Sequence, residues 1–178
     1  MTGADEFEAF VRRYEDMVFA TAARLLGNHA EAEDVAQTVF LKAFERFDGL
    51  RTSPSAGGWL KTVATNLCLN HLSRYRRRWR FFSELHSDHA APAAESIESL
   101  ASSVIDDLQR ADESQQLERA LAALPDHQRV PLALFHFDSL TYEQIAVALR
   151  ISLGKLKTDM HRGRLALRRA LTSAHGSR

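Results

Sequence analysis

Apolar residues recur at intervals of three and four along most of this chain, and that spacing marks one face of an α-helix. In the first half the spacing predicts three helices, over about residues 5–26, 30–47 and 59–80. Gly27 and Gly49 fall in the gaps between these segments, where glycine commonly ends a helix. Three amphipathic helices with short connections predict a compact bundle that folds by itself.

The helical spacing fades over residues 84–115, which are small, polar or acidic, and this predicts a flexible linker. The spacing returns at Leu117, and Pro125 predicts the first turn of a new helix. Pro131 should bend that helix or shift its start. The predicted fold is therefore all-α, with two small helical domains over 1–83 and 116–178 joined by the linker.

A helix-turn-helix is predicted near the C-terminus. Thr141 is a suitable N-cap with Gln144 three residues later, which is the spacing of a capping box. Residues 150–152 form a tight turn, and a basic helix follows over about 153–171. Two helices joined by so short a turn, the second of them basic, are typical of DNA-binding modules, although helix pairs in ordinary bundles can show the same pattern.

Charge is strongly segregated although the net charge is zero. Residues 51–80 carry seven basic side chains and no acidic one, and residues 149–178 carry eight basic and one acidic. The two remaining segments are acidic, with ten acidic against five basic residues in 1–50 and twelve against three in 81–148. Two cationic patches suggest two contact sites on one polyanion, and the acidic surfaces remain for protein partners.

The third predicted helix combines an apolar face with a polar face that runs into arginines. A helix of this kind suits a nucleic-acid backbone, because neutralising phosphates supplies most of the sequence-independent affinity. The alternative is a solvated cationic face that complements the helix dipole. The polar face consists of Lys61, Thr62, Thr65, Asn66, Asn70 and the arginines from Arg74 onward.

Composition excludes several classes of protein. No run of about 18 apolar residues is present, so no membrane insertion is expected, and the N-terminus does not resemble a signal peptide. The single cysteine, Cys68, fits a reducing cytoplasm and a structural role. His86 and His89 lack further ligands nearby, so the linker interpretation is preferred to a metal site. No metal or cofactor is predicted.

Several motifs in a fixed order resemble the extracytoplasmic-function (ECF) group of bacterial sigma factors. The run AEDVAQTVFLKAF (32–44) resembles the region 2 helix that docks on the polymerase clamp. The runs WLKTVATN (59–66) and NHLSRYRRR (70–78) are similar to the promoter-melting helix. LPDHQR (124–129), LTYEQIA (140–146), SLGKLK (152–157) and HRGR (161–164) resemble region 4.

The resemblance implies a non-enzymatic protein that binds core RNA polymerase, recognises promoter DNA and helps to open it, regulated by an anti-sigma factor. It assigns polymerase binding to Asp34, Gln37, Phe40 and Lys42. It assigns the −10 element, with a base flipped from the non-template strand, to Leu50, Arg51, Asn66, Asn70, Arg74, Arg76, Arg77 and Arg78. It assigns the −35 element to Lys155, Lys157, Thr158, Arg162 and Arg164.

Three residues depart from the family pattern. Asp159 stands where a basic residue is usual, and it is expected to repel phosphate or to accept a hydrogen bond from a cytosine amino group. Pro131 interrupts a helix, and Leu50 replaces a common aromatic residue beside the flipped-base pocket. These departures concern the promoter sequence that is recognised, and not the class of protein.

Two other functions were compared with this one. A free-standing helix-turn-helix regulator would explain residues 117–171 but would leave the basic helix at 59–80 and the acidic turn at 31–34 unused. An enzyme is disfavoured because the chain offers no nucleophile–base motif, glycine-rich phosphate loop or helical Glu-x-x-His pair.

Overall fold

The computed structural model describes residues 3–83 and 111–175, with side chains for 3–73 and 115–173. Every regular element in these ranges is a helix, which confirms the predicted all-α class. The chain divides into two compact units, Met1–Phe81 and Phe82–Arg178. Most of the predicted linker, with His86 and His89, lies outside the described residues.

The first unit contains four helices. Gly27 ends the first of them in the left-handed conformation, with φ of 65°, which is accessible to glycine without steric cost. Asn28 then caps the second helix, because its side-chain oxygen accepts a hydrogen bond from the Glu31 N–H at 3.2 Å. The helices are α1 (Gly3–Leu26), α2 (His29–Phe44), α3 (Phe47–Leu50) and α4 (Ala56–Ser83).

The core of the first unit lies where α1 and α2 pack together and α4 contributes its apolar face. Burying each Val or Leu side chain of this core stabilises the fold by about 1.5–3 kcal/mol. Cys68 is fully buried among them, as expected for a structural thiol. The residues that are at most 1% exposed are Val18, Ala22, Leu25, Ala32, Val39, Ala43, Ala56, Leu60, Ala64 and Cys68.

Two boundaries in the first unit differ from the sequence prediction. The second helix ends at Phe44, and Phe47 begins the separate short helix α3, where its ring packs at 5.1 Å from Phe7 and 5.5 Å from Phe10. Helix α4 begins at Ala56, three residues earlier than predicted. Its first turn includes Gly57, where an added Cβ would lie 3.2 Å from the Tyr14 ring. The ring contacts of Phe47 account for the first of these two differences.

Within its described residues, 111–175, the second unit also contains four helices. Thr141 caps the third of them through a capping box, confirming the prediction: its hydroxyl accepts from the Gln144 N–H at 3.2 Å and its own N–H donates to the Gln144 side chain at 2.9 Å. Pro131 lies inside the second helix and does not shift its start. The helices are α5 (Ala111–Ala122), α6 (Asp126–His136), α7 (Tyr142–Leu149) and α8 (Leu153–His175).

Helix α8 is the element on which α5, α6 and α7 all pack. Leu156 and Met160 of α8 are fully buried against this core, together with Leu132 of α6 and Ile145 of α7. Arg129 is buried as well, at 3% exposure; it donates to the Leu124 carbonyl at 2.8 Å and pairs with Asp126 at 2.5 Å. The guanidinium thereby ties the α5–α6 connection to α6.

Candidate nucleic-acid interface

The helix-turn-helix is built from α7, a three-residue turn and α8. Arg150 ends α7 in the left-handed conformation with φ of 54°, and the Ile151 N–H donates to the Ala146 carbonyl at 3.0 Å. Ser152 then caps α8, because its hydroxyl accepts from the Lys155 N–H at 3.2 Å. Ala146 is buried at this crossing. The predicted motif is confirmed in its turn, its cap and its buried contacts.

The outer face of α8 presents polar and cationic side chains. Lys155, Lys157 and Arg162 are exposed, while Thr158 and His161 are partly exposed. The Thr158 hydroxyl donates to the Gly154 carbonyl at 3.1 Å, so its lone pairs and methyl group are what it can offer to a base. Lys155, Lys157, Thr158 and Arg162 were all predicted to be exposed on α8, and each of them is exposed or partly exposed.

Arg164 does not lie on that face, so the prediction that α8 exposes it is wrong. Its side chain is only 9% exposed, and the guanidinium lies 5.7 Å from the centroid of the Phe135 ring, a cation–π arrangement. Its Nε and Nη1 atoms are buried and find no hydrogen-bond partner among the described residues. Arg164 belongs to the packing between α6 and α8 rather than to an exposed DNA-binding surface.

The environment of Arg164 also affects a histidine. Burial, and then the nearby Arg164 charge, lower the pKa of His136 from 6.5 to about 4. Both effects disfavour the imidazolium, because it would be poorly solvated and close to a like charge. His136 is therefore neutral near pH 7.

Asp159 also differs from its expected placement. The carboxylate was expected to face DNA, but the residue is 3% exposed. It pairs instead with Lys155 one turn earlier on α8, with 2.9 Å between Lys155 Nζ and Asp159 Oδ2. Direct repulsion of phosphate or acceptance from cytosine is therefore not what this geometry offers.

In the first unit, Asn66 and Asn70 lie one turn apart on the exposed face of α4. Thr65, which the sequence placed on the same face, is buried. The side chains of Arg74, Arg76, Arg77 and Arg78 lie outside the described residues, although the helix itself continues through them to Ser83. The described part of this surface thus comprises the two exposed amides, exposed Thr62 and partly exposed Lys61.

The segment before α4 carries the two other residues predicted for the −10 site. Arg51 is exposed, and its Nη1 lies 2.9 Å from Oε2 of Glu6 on α1. Leu50 is only 8% exposed and belongs to the core. It supports the loop, and its side chain offers little surface to a base.

A groove of about 830 Å³ runs between α1 and α2. Gln37 and Phe40, both predicted for polymerase binding, line it, whereas Asp34 and Lys42 are exposed residues of α2 that do not belong to its lining. Leu41 and Phe44 also line it and are 68% and 61% exposed. The full lining is Phe7, Val11, Glu15, Asp16, Phe19, Glu33, Ala36, Gln37, Phe40, Leu41 and Phe44, which is apolar with acidic residues and no basic one.

Leu41 and Phe44 were not among the residues predicted for polymerase binding. A signal for both was present, because the apolar positions of α2 extend from Val35 to Phe44 over an arc wider than one packed face needs. The apolar residues of α2 that do not pack inside the unit remain exposed and can contact a partner.

The described residues contain no helix long and apolar enough to cross a bilayer. They also contain no group of three potential metal-ligating side chains.

An all-helical protein with two units, one of them carrying a helix-turn-helix, has an architecture that many DNA-binding proteins share. Comparison with known proteins defines the class further. The family model for Sigma-70 region 2 matches residues 10–78, and that for Sigma-70, region 4 matches residues 114–167.

The chain is also similar to individual sigma factors. It is 30% identical over 169 residues to the ECF RNA polymerase sigma factor SigW of Bacillus subtilis, covering 94% of this chain and 89% of that protein. It is 30% identical over 179 residues to the RNA polymerase sigma factor YlaC of the same organism, covering 98% and 96%. This chain belongs to the sigma-70 family and, within it, to the ECF sigma factors.

A solved structure has a similar fold. The sigma factor RpoE of Bartonella quintana, in complex with the anti-sigma factor NepR, matches with a TM-score of 0.50 and 22% identity. The match covers 93% of this chain and 96% of that one.

Proposed function

We propose that this protein binds core RNA polymerase, directs it to promoters with specific −10 and −35 elements, and initiates transcription of a defined regulon. Its role is non-enzymatic, because the chemistry belongs to the polymerase. The proposed domains are region 2 over 1–83, a linker over 84–115 and region 4 over 116–178. A cytoplasmic location follows from the proposed partner.

The observation that carries the DNA-binding part is the outer face of α8. Lys155, Lys157, Thr158 and Arg162 all lie on the second helix of a helix-turn-helix, which is the helix that enters the major groove in such modules. We assign the −35 element to them. Phosphate contacts should outnumber base contacts, since at least half of protein–DNA hydrogen bonds go to the backbone.

The −10 element is assigned to the exposed face of α4. Asn66 and Asn70 can each donate and accept hydrogen bonds, as a flipped base requires on its edge. Arg51 lies at the adjoining loop. The cationic end of α4 is assigned to the backbone of the melted strand, which requires a positive groove; it comprises Arg74, Arg76, Arg77 and Arg78.

Polymerase binding is assigned to the groove between α1 and α2 and the residues beside it, which include Asp34, Gln37, Phe40 and Lys42. Its apolar floor and acidic residues suit a helix that presents apolar and basic side chains. An anti-sigma factor that covers part of these surfaces would keep the protein from the polymerase, and we propose this form of regulation.

A free-standing helix-turn-helix regulator is the alternative. It would leave the groove of the first unit and the exposed face of α4 without a function, and it would use a two-fold dimer on a palindromic site. Gel filtration and footprinting distinguish the two functions, because a sigma factor acts as one copy on an asymmetric promoter.

The direct experiment is reconstitution with purified core RNA polymerase. We expect a stable complex, and run-off transcripts from a library of genomic promoter fragments that core polymerase alone does not transcribe. Absence of any complex with core polymerase would refute the proposed function.

A further inference from the structure

Asp159 is a buried carboxylate on the helix that faces DNA. Its side chain is 5% exposed, and its Oδ2 accepts a hydrogen bond from Lys155 Nζ at 2.9 Å. The Lys155 side chain is itself 55% exposed. One end of the pair is therefore inside the unit and the other end is at the outer face of α8.

Lys155 is also restrained through its backbone, since its N–H donates to the Ser152 hydroxyl that caps α8. A free lysine side chain has about 2 kcal/mol of rotamer entropy to lose on binding. The contact with Asp159 removes part of that freedom before any DNA arrives. The ammonium has three N–H donors, and Asp159 takes one of them.

The same pair changes the electrostatics of the face. Lys155 next to a carboxylate forms an almost neutral unit, so it displaces fewer counterions from DNA than a free cation does. Lys157 is a lysine of the same helix whose charge is not neutralised in this way. It is exposed and forms no ion pair among the residues whose side chains are placed.

We propose that Asp159 is a positioning residue: it holds Lys155 so that the remaining donors meet the edge of a guanine in the −35 element instead of a phosphate. Guanine is the expected base because its O6 and N7 acceptors are the usual major-groove partners of lysine. This inference rests on the proposed function. The unusual acidic residue then contributes to promoter choice through its neighbour, without touching DNA.

The test compares variants of the two lysines in polymerase holoenzyme. The probe is a promoter-fragment library randomised over the −35 element. For one selected fragment, the binding constant is measured at several salt concentrations, and the slope of its logarithm against the logarithm of the salt concentration is called the salt slope. Lys155→Gln should lower the preference for guanine at one base pair by about fivefold or more, with little change in the salt slope. Lys157→Gln should reduce the salt slope by about 0.9 with little change in base preference.

Asp159→Asn tests the positioning role itself. The substitution removes the negative charge that holds Lys155 but keeps a side-chain acceptor. The more weakly held Lys155 should lower the same guanine preference and steepen the salt slope by up to about 0.9, because its ammonium contacts phosphate more often. With Lys155→Gln already present, Asp159→Asn should have no further effect on base preference. Glu143→Gln, which removes one exposed carboxylate from the same unit, is the control for net charge.

Three results would overturn the inference. One is a Lys155→Gln salt slope that falls as much as that of Lys157→Gln. The second is an Asp159→Asn variant that folds normally and keeps the wild-type base preference. The third is a salt slope that steepens as much in Glu143→Gln as in Asp159→Asn. A wild-type holoenzyme that selects no −35 sequence would instead refute the proposed function, so the two failures are distinguishable.

Discussion

Gly163 of α8 lies against Leu132 of α6 so closely that a Cβ atom on the glycine would be 2.7 Å from Leu132 Cδ1. Leu132 is 1% exposed, so its side chain has little room to move. The same added atom would lie 3.3 Å from Cβ and 3.4 Å from the carbonyl oxygen of Gln128. The absence of a side chain at position 163 therefore sets how closely α6 and α8 approach.

We expect Gly163→Ala to destabilise the second unit by up to about 2 kcal/mol, because an overpacking cost of about 1–3 kcal/mol outweighs the gain of up to about 1 kcal/mol in helix propensity. Urea unfolding followed by circular dichroism measures the change. Tryptophan fluorescence serves as an internal reference, because Trp59 and Trp79 both lie in the first unit.

Gly154→Ala is the matched control, since Gly154 is in the same helix and an added Cβ would meet nothing within 4 Å. It should be neutral or slightly stabilising. Equal stability of the two alanine variants would contradict the packing role of Gly163.

The low pKa of His136 predicts a pH-dependent stability of the second unit. The folded-state pKa of about 4 lies below the ordinary value of 6.5, so the unfolded chain binds the proton more tightly. This histidine therefore costs no stability above about pH 6.5, and the unit loses stability as the pH falls from there towards 4. His136→Gln should have a smaller loss over that range.

Thermal unfolding at pH 7.5 and at pH 4.5 checks this prediction. His127→Gln serves as the control because His127 is an exposed histidine of the same helix. If the two glutamine variants lose the same stability on acidification, the burial of His136 is not the cause.

Asn66→Ala should weaken promoter opening more than polymerase binding. Losing the hydrogen bonds of one amide to a flipped base corresponds to roughly a two- to tenfold lower fraction of open complex. Permanganate footprinting measures the opening, and titration of core polymerase measures the binding. Ser73→Ala, another exposed residue of α4, should change neither. An equal loss in both measurements would remove Asn66 from the −10 site.

Leu41→Ser should weaken binding to core polymerase by about 1 kcal/mol or more. Its side chain is 68% exposed in the groove between α1 and α2, so the free protein should keep its stability. Fluorescence titration of labelled protein with core polymerase gives the affinity. Val147→Ser is the control, because Val147 is also apolar and 78% exposed but lies in the second unit. Unchanged affinity for Leu41→Ser would exclude the groove from the interface.

The sequence predicted helix caps and helix ends better than it predicted features that depend on contacts between distant residues. The capping box of Thr141 and Gln144 and the stop at Gly27 depend on residues within one turn, so local spacing was sufficient. The short helix α3 was missed because Phe47 is oriented by the rings of Phe7 and Phe10, which are far away in sequence.

The exposure of individual residues was the least predictable property. Thr65 and Arg164 were both placed on exposed faces, and each is only 9% exposed. Both residues lie at the edge of the apolar face of a helix, where helical periodicity does not predict whether a side chain is buried or exposed.

By itself the sequence determined an all-helical chain with two charged helices and a helix-turn-helix, because periodicity, caps and charge act over a few residues. Only the tertiary structure decided which polar groups remain on the surface. Asp159 is buried and pairs with Lys155, and the guanidinium of Arg164 lies over the ring of Phe135. The reason is that burial at the margin of a helix face depends on which helix packs against it, and the spacing of residues within one helix carries no information about that neighbour.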